Sequence, residues 1–213
     1  MLQTLTIKEE TLGLLKTLMH DEQLTSFCLV GGTALALYMG HRKSVDIDLF
    51  SQDLLDVNEL ERHLIHAYDF QTIRISNATL IGQINDIKVD CIMYPYPLVE
   101  PVQKYDEIRI FSIPDIAAMK LTAISQSGKR VKDFVDIAFL SSIMSLDTMM
   151  IAFEKKYPKT SVMSAVRGLT YYDDIDFSAE IDLTDGTFRW KIVEKRLKEM
   201  ITHSDKVLPQ LVF

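Results

Sequence analysis

Asp46-Ile47-Asp48 lies in a run, Val45 to Phe50, in which apolar and polar residues alternate strictly. Along a strand, residues two apart point the same way, so Val45, Ile47 and Leu49 face one side and the two carboxylates face the other. Adjacent carboxylates repel, and neither is buried cheaply. They are tolerated on a strand that looks into an open cleft and shares a divalent cation. Asp90 repeats the pattern in Lys88-Val-Asp-Cys-Ile92, with Val89 and Cys91 facing the core and Lys88 and Asp90 facing away. Three carboxylates on adjacent strands supply the hard oxygen ligands that Mg2+ takes, with Mn2+ as the substitute. Two such ions about 4 Å apart activate an attacking oxygen and neutralise a leaving pyrophosphate.

Upstream of the carboxylates stands Gly31-Gly32-Thr33, between a short apolar run, Phe27 to Val30, and a helix-like segment ending at Tyr38. Backbone N–H groups without a Cβ beside them approach phosphates closely, and the N-terminus of the helix that follows favours anions. Thr33 adds a hydroxyl there. In the loop before the carboxylate strand, the Arg42 guanidinium is placed to reach a phosphate, with Ser44 beside it. Singly these signals are weak: Gly-Gly after a strand is usually a turn, and Asp-x-Asp often decorates a solvated strand face. The ordered set is specific. It predicts a triphosphate held beside a metal triad, with a nucleoside monophosphate moved from an NTP to an acceptor hydroxyl.

The elements that must hold these residues follow from periodicity. Residues 5–20 predict an amphipathic helix, with Leu12, Leu15 and Met19 at helical spacing, and Val57 to Tyr68 predicts another. Phe70 to Ser76, Thr79 to Ile84 and Ile87 to Met93 alternate as strands. The last two are separated only by Asn85-Asp86, which tolerates positive φ and signals a hairpin. After the Pro-rich stretch Tyr94 to Pro101 the character changes. Ser112-Ile-Pro-Asp115 is a capping-box start with proline in the first turn. Helices are expected at about 114–125, 131–143, 146–156, 161–169 and 187–202. The expected fold class is α/β (α+β), a mixed sheet with helices in residues 1–111 followed by a helical domain in 112–213, the nucleotide lying between them.

Composition bounds the alternatives. With 47% hydrophobic and 25% charged residues in 213, the chain buries a core and is not disordered. No apolar run of about 18 residues predicts a membrane span, and the mixed, charged N-terminus is no signal sequence. Cys28 and Cys91 sit in apolar strand-like runs and read as small buried hydrophobes, consistent with a cytoplasmic protein. His63 and His66 share a helix face without a third ligand. The net charge of −7 argues against an indiscriminate nucleic-acid binder and leaves one local basic patch, Lys129, Arg130 and Lys132.

The segment with Gly31-Gly32, a dozen residues, then Asp46-Ile-Asp48 resembles the polymerase-β-like nucleotidyltransferases. More narrowly, Gly31-Gly-Thr-Ala-Leu-Ala-Leu37, Arg42-Lys-Ser44-Val-Asp46-Ile-Asp48-Leu-Phe50, Asp115-Ile-Ala-Ala-Met-Lys120-Leu-Thr-Ala-Ile124 and Lys132-Asp133-Phe-Val-Asp136-Ile137 resemble the AbiEii/AbiGii toxin group. The resemblance covers about residues 27–140, with an echo in Leu169 to Ile175. It implies phosphate contacts at Gly31, Gly32 and Thr33, and metal at Asp46, Asp48 and Asp90. It also implies that Lys120 and Asp133 or Asp136 complete the catalytic site from the second domain, Lys120 touching the nucleotide. One departure is Ser125-Gln126-Ser127, where many relatives carry an arginine; here Arg130 comes later. The group implies a toxin-type enzyme acting on RNA, tRNA in particular, with a cognate antitoxin. The alternatives are an enzyme that modifies a small molecule of the aminoglycoside type, and a non-catalytic relative that binds nucleotide or a partner.

Bland readings stand beside these. Lys120, in an apolar helix, reads as a snorkelling lysine. Lys129 with Asp133 and Lys132 with Asp136 read as i,i+4 helix pairs worth a few tenths of a kcal/mol. Arg189, Lys191, Lys195, Arg196 and Lys198 read as a solvated face of the last helix, or as an RNA-binding one. Tyr171-Tyr172-Asp173-Asp174 reads as a polar loop.

Overall fold

The computed structural model describes residues 2–213, which fall into two compact units. The first comprises residues 2–40, Ser44–Pro97 and Pro101–Phe111; the second comprises His41–Lys43, Leu98–Glu100 and Ser112–Phe213.

The first unit is built on a seven-stranded mixed sheet: β1 (Cys28–Val30), β2 (Ile47–Ser51), β3 (Gln71–Ser76), β4 (Thr79–Ile84), β5 (Ile87–Met93), β6 (Gln103–Tyr105) and β7 (Ile108–Ile110), in the order β3-β4-β5-β2-β1-β7-β6. β2 runs antiparallel to β1 and parallel to β5, while β1 pairs β7 in parallel. Three helices accompany the sheet, α1 (Glu9–His20), α2 (Gly31–Met39) and α3 (Val57–Tyr68). α3 starts where Asp56 accepts from the N–H groups of Asn58 and Glu59, and stops where Asp69 turns left-handed. Leu15, Leu18, Phe27, Leu29, Leu35, Leu37, Ile47, Leu49, Leu64, Leu80 and Val89 fill the core between sheet and helices.

The β4–β5 hairpin turns at Asn85 and Asp86, both at positive φ, as their sequence predicts. A second hairpin, β6–β7, was not expected. It turns on Asp106-Glu107, with Asp106 at φ 51°, and its three-residue strands are too short to show a period. Its Arg109 ties the unit together by donating to the carbonyls of Met19, Leu24 and Phe27. Two bounds differ in a way that affects the site: α2 begins on Gly31 itself, and β2 begins at Ile47, leaving Asp46 one residue before the pairing.

The second unit is helical, with α4 (Ile113–Gln126), α5 (Val131–Leu140), α6 (Leu146–Lys156), α7 (Val162–Gly168) and α8 (Trp190–Thr202). α4 packs on α5, α6 and α7, and α5 packs on α8, around Ile116, Leu121, Phe134, Leu140, Met149, Phe153, Val193 and Leu197. Ser112 caps α4 by accepting from the N–H of Asp115, with Pro114 in the first turn as expected. α5 stops at Leu140, three residues short of the expected end, where the Ser141 hydroxyl donates back to Ala138. Among the described residues no helix is long and apolar enough to cross a membrane.

Candidate active site

In the first unit two of the three carboxylates project from one face of the sheet. Asp48 of β2 and Asp90 of β5 are direct register partners, and partners across parallel strands project to the same side. Asp46 lies two residues before Asp48 and is half-buried. Asp90 was expected to look into an open cleft. It is instead 7% exposed, on a strand in the interior of the sheet. Its Oδ2 accepts from the Lys88 ammonium at 2.6 Å, while its Oδ1 is buried without a hydrogen-bond partner. Burial draws the Lys88 ammonium down, but the hydrogen bond to Asp90 and the charges of Asp90, Asp48 and Asp46 hold it above its ordinary value. As they stand, no three His, Cys, Asp or Glu side chains among the described residues are gathered closely enough to hold a metal ion. The donor set nevertheless fits a hard cation. It offers three carboxylates on two adjacent chain segments, one with an orphaned anionic oxygen that only a cation or a proton donor satisfies.

Gly31 earns its place in a way the sequence did not show. Its φ is +73°, and a Cβ there would overlap the Asp48 carboxylate. The absent side chain thus lets the first turn of α2 lie against a carboxylate. No side chain caps α2, so its first N–H groups, those of Gly31, Gly32 and Thr33, point out of the helix start. The Thr33 side chain points inward and is fully buried. Its hydroxyl bonds the carbonyl of Asp46 and lies 2.8 Å from the Ser44 hydroxyl. The Ser44 N–H in turn donates to Thr6. Thr33 and Ser44 therefore fix the backbone that carries Asp46, and any phosphate contact at Thr33 falls to its backbone.

The second unit holds a separate cluster. Lys120 on α4 and Asp133 and Asp136 on α5 come together, joined by Arg42 and His41, and are closed off. Lys120 is 5% exposed, Asp133 3%, Asp136 0% and Arg42 3%. The Lys120 ammonium bridges Asp133 at 2.6 Å and Asp136 at 2.7 Å. Arg42 grips Asp136 with two nitrogens, at 2.7 and 3.0 Å, and His41 Nε2 lies 2.9 Å from the same carboxylate. Burial pushes the Asp136 carboxyl up, but Arg42 and Lys120, with hydrogen bonds from His41 and Arg42, bring it well below its ordinary value. Burial likewise lowers Lys120, and the charges of Asp133 and Asp136 more than restore it. His41 goes the other way. Burial outweighs its bond to Asp136 and lowers its pKa, and its Nδ1 is buried without a partner, so the ring is neutral.

Two expectations are corrected here. Lys120 is not a snorkelling surface lysine, and the Arg42 guanidinium, expected to reach a phosphate from its loop, is buried against Asp136. The i,i+4 pairs also fail to form. Lys129 precedes α5, and Asp136 is taken by Lys120 and Arg42. Arg130, 69% exposed at its side chain, stands 3.7 Å from Asp133.

Elsewhere in this unit, Asp115 anchors the Leu98–Glu100 strap through the N–H groups of Val99 and Glu100. It pairs with Lys156 at 2.7 Å, both side chains fully buried. Arg196 leaves the basic face of α8 to donate to Pro209 from a buried position, while Lys191, Lys195 and Lys198 stay exposed. His63 pairs with Asp21.

Residues 13–206 match a family model described as nucleotidyl transferase AbiEii toxin, type IV toxin–antitoxin system. An uncharacterized protein of Aquifex aeolicus (strain VF5) is 32% identical over 181 residues, covering 82% of this chain and 86% of that one. Among solved structures, the nucleotidyltransferase toxin MenT4 from Mycobacterium tuberculosis H37Rv is similar, with a TM-score of 0.56, 16% identity, and coverage of 93% of this chain and 86% of that one. JHP933 from Helicobacter pylori follows at a TM-score of 0.51, 17% identity, and coverage of 93% and 92%. At these identities the two structures bear on the fold alone.

Proposed function

The chain belongs to the AbiEii nucleotidyl transferase toxin family, and on that footing we propose that Asp46, Asp48 and Asp90 hold the divalent ions of its transfer reaction. The ions are Mg2+, two of them, replaceable by Mn2+. The observation that carries this reading is the side-by-side placement of Asp48 and Asp90 with the glycine start of α2 pressed against Asp48. Bound there, the metal would polarise the phosphates and lower the pKa of the attacking hydroxyl. The protein's own part is positioning. Thr33 and Ser44 hold the Asp46 backbone, and Gly31 gives Asp48 its space. The N–H groups of Gly31, Gly32 and Thr33, at the positive end of α2, bind the triphosphate of the NTP.

The acceptor in this reading is an RNA hydroxyl, tRNA by preference, and a nucleoside monophosphate is added with release of pyrophosphate. Family membership and the exposed cations Lys129 and Arg130 support an RNA partner. A cognate antitoxin and a cytoplasmic setting belong to the same reading. Lys120, Asp133, Asp136 and Arg42 serve as a charge-balanced cluster that fixes α4, α5 and the His41–Lys43 segment. They act on the reaction through that support rather than by touching the nucleotide.

The test is incubation with each labelled NTP in turn, Mg2+ and total RNA, followed by gel analysis. A labelled band of tRNA size is expected with one or more nucleotides, lost on chelation of Mg2+ and with Asp48→Asn. No labelled RNA with any of the four nucleotides would refute the RNA reading.

A further inference from the structure

Lys88 has no part in the reaction described so far, yet its ammonium is bonded to the triad. It lies two residues before Asp90 on β5, so both side chains project from the same face of the sheet. The two meet at 2.6 Å, with the lysine side chain 45% exposed and the aspartate side chain 10%. Parallel pairing of β2 with β5 starts at Ile47 beside Val89, which brings Asp46, one residue earlier, alongside Lys88. On its other flank Lys88 faces Gln83 of β4, a neutral side chain that donates to Gln71. The charges that act on this ammonium from its own strand and its neighbour β2 are the carboxylates of Asp90, Asp48 and Asp46.

We propose that Lys88 is a built-in, displaceable counter-ion of the Asp46–Asp48–Asp90 site, one that must be moved aside for a divalent cation to bind and so sets the metal affinity. The inference rests on the metal reading given above. Three clustered carboxylates repel one another, and an ammonium among them relieves that repulsion while no metal is bound. Asp90 cannot give Oδ2 to both partners. Because the lysine is nearly half exposed on a flexible four-carbon stem, it can leave for solvent at little cost, whereas Asp90 stays buried. An ordinary surface ion pair would have no such consequence, since pairs of that kind contribute little and hold nothing in place.

The experiment is a Mn2+ titration of the nucleotide-free protein, with free Mn2+ read by electron paramagnetic resonance. It compares the native protein with Lys88→Met, Lys88→Arg and Asp90→Asn. Loss of one charge-assisted hydrogen bond from the competing partner predicts Mn2+ binding about tenfold tighter or more in Lys88→Met. Lys88→Arg, which keeps the charge, should bind like the native protein, and Asp90→Asn should bind far more weakly. Without Mn2+ the melting temperature of Lys88→Met should fall, and it should be raised more by saturating Mn2+ than that of the native protein. Equal or weaker Mn2+ binding by Lys88→Met overturns the inference and leaves the metal assignment standing. Mn2+ bound by neither protein overturns the metal assignment, and the inference with it.

Discussion

The molecule carries two groups of carboxylates with cations among them, one in each unit, and they are built on opposite terms. In the helical unit two aspartates, Asp133 and Asp136, are matched by Lys120 and Arg42, all of them 5% exposed or less. Each charge there has a partner within hydrogen-bonding distance, and the nearby histidine is kept neutral. In the sheet unit Lys88 is bonded to Asp90 within the field of Asp46 and Asp48, these four groups sum to two negative charges, and one buried oxygen of Asp90 has no hydrogen-bond partner. A balanced, closed cluster has satisfied its own chemistry and has little left for a substrate. An unbalanced one is a standing demand for cations. Carboxylate spacing alone does not separate the two cases; burial and the balance of charge within each group do.

The largest effect that separates them is on stability. Lys120→Met removes the cation common to two buried carboxylates, and breaking a buried pair in this way costs about 3–5 kcal/mol. Urea unfolding should show that loss, and a change below about 1 kcal/mol would mean that the cluster is not closed in solution.

A smaller effect is expected at Gly31. Alanine there bears a left-handed backbone, about 1–2 kcal/mol, and also drives its Cβ into the Asp48 carboxylate. Gly31→Ala should lower stability by that amount and weaken Mn2+ binding in the same protein. A variant that loses stability but binds Mn2+ like the native protein would show that the glycine serves the turn alone.

The smallest effect sharpens the account of the closed cluster. His41 has its pKa lowered from 6.5 by burial, so the unfolded chain takes up its proton first as the pH falls. Its contribution is therefore fully present above pH 6.5 and is lost as the pH falls below 6.5 toward the folded value. The slope is at most about 1.4 kcal/mol per pH unit. His41→Gln should flatten the fall in stability on that stretch. A native protein whose stability is level from pH 6.5 downward would place the ring in contact with solvent.

Much of the sheet unit is legible in the sequence. The bounds of α3, β4 and β5 follow from period and capping residues, and the Asn85-Asp86 turn follows from side-chain chemistry. The parity of Asp48 and Asp90 along their strands was legible too, whereas Asp46 lies before β2 begins. The pairing of Asp48 beside Asp90 was not, because strand register depends on packing at a distance of 42 positions in the chain. The closed cluster was out of reach for the same reason. Arg42 meets Asp136 across 94 positions, so Asp136 looked available to the nearby Lys132. The β6–β7 hairpin, in contrast, carried the same two-residue polar turn as β4–β5 and was obscured only by strands of three residues.

Asp46→Asn and Asp136→Asn, measured side by side for melting temperature and for Mg2+-dependent nucleotide transfer, test the contrast most directly. Asp46→Asn removes one of several crowded negative charges, so its melt should match or slightly exceed that of the native protein while transfer is lost. Asp136→Asn removes the carboxylate that holds Lys120, Arg42 and His41, so its melt should fall steeply. Full transfer by a folded Asp46→Asn, together with an unchanged melt for Asp136→Asn, would contradict the division of labour between the two clusters.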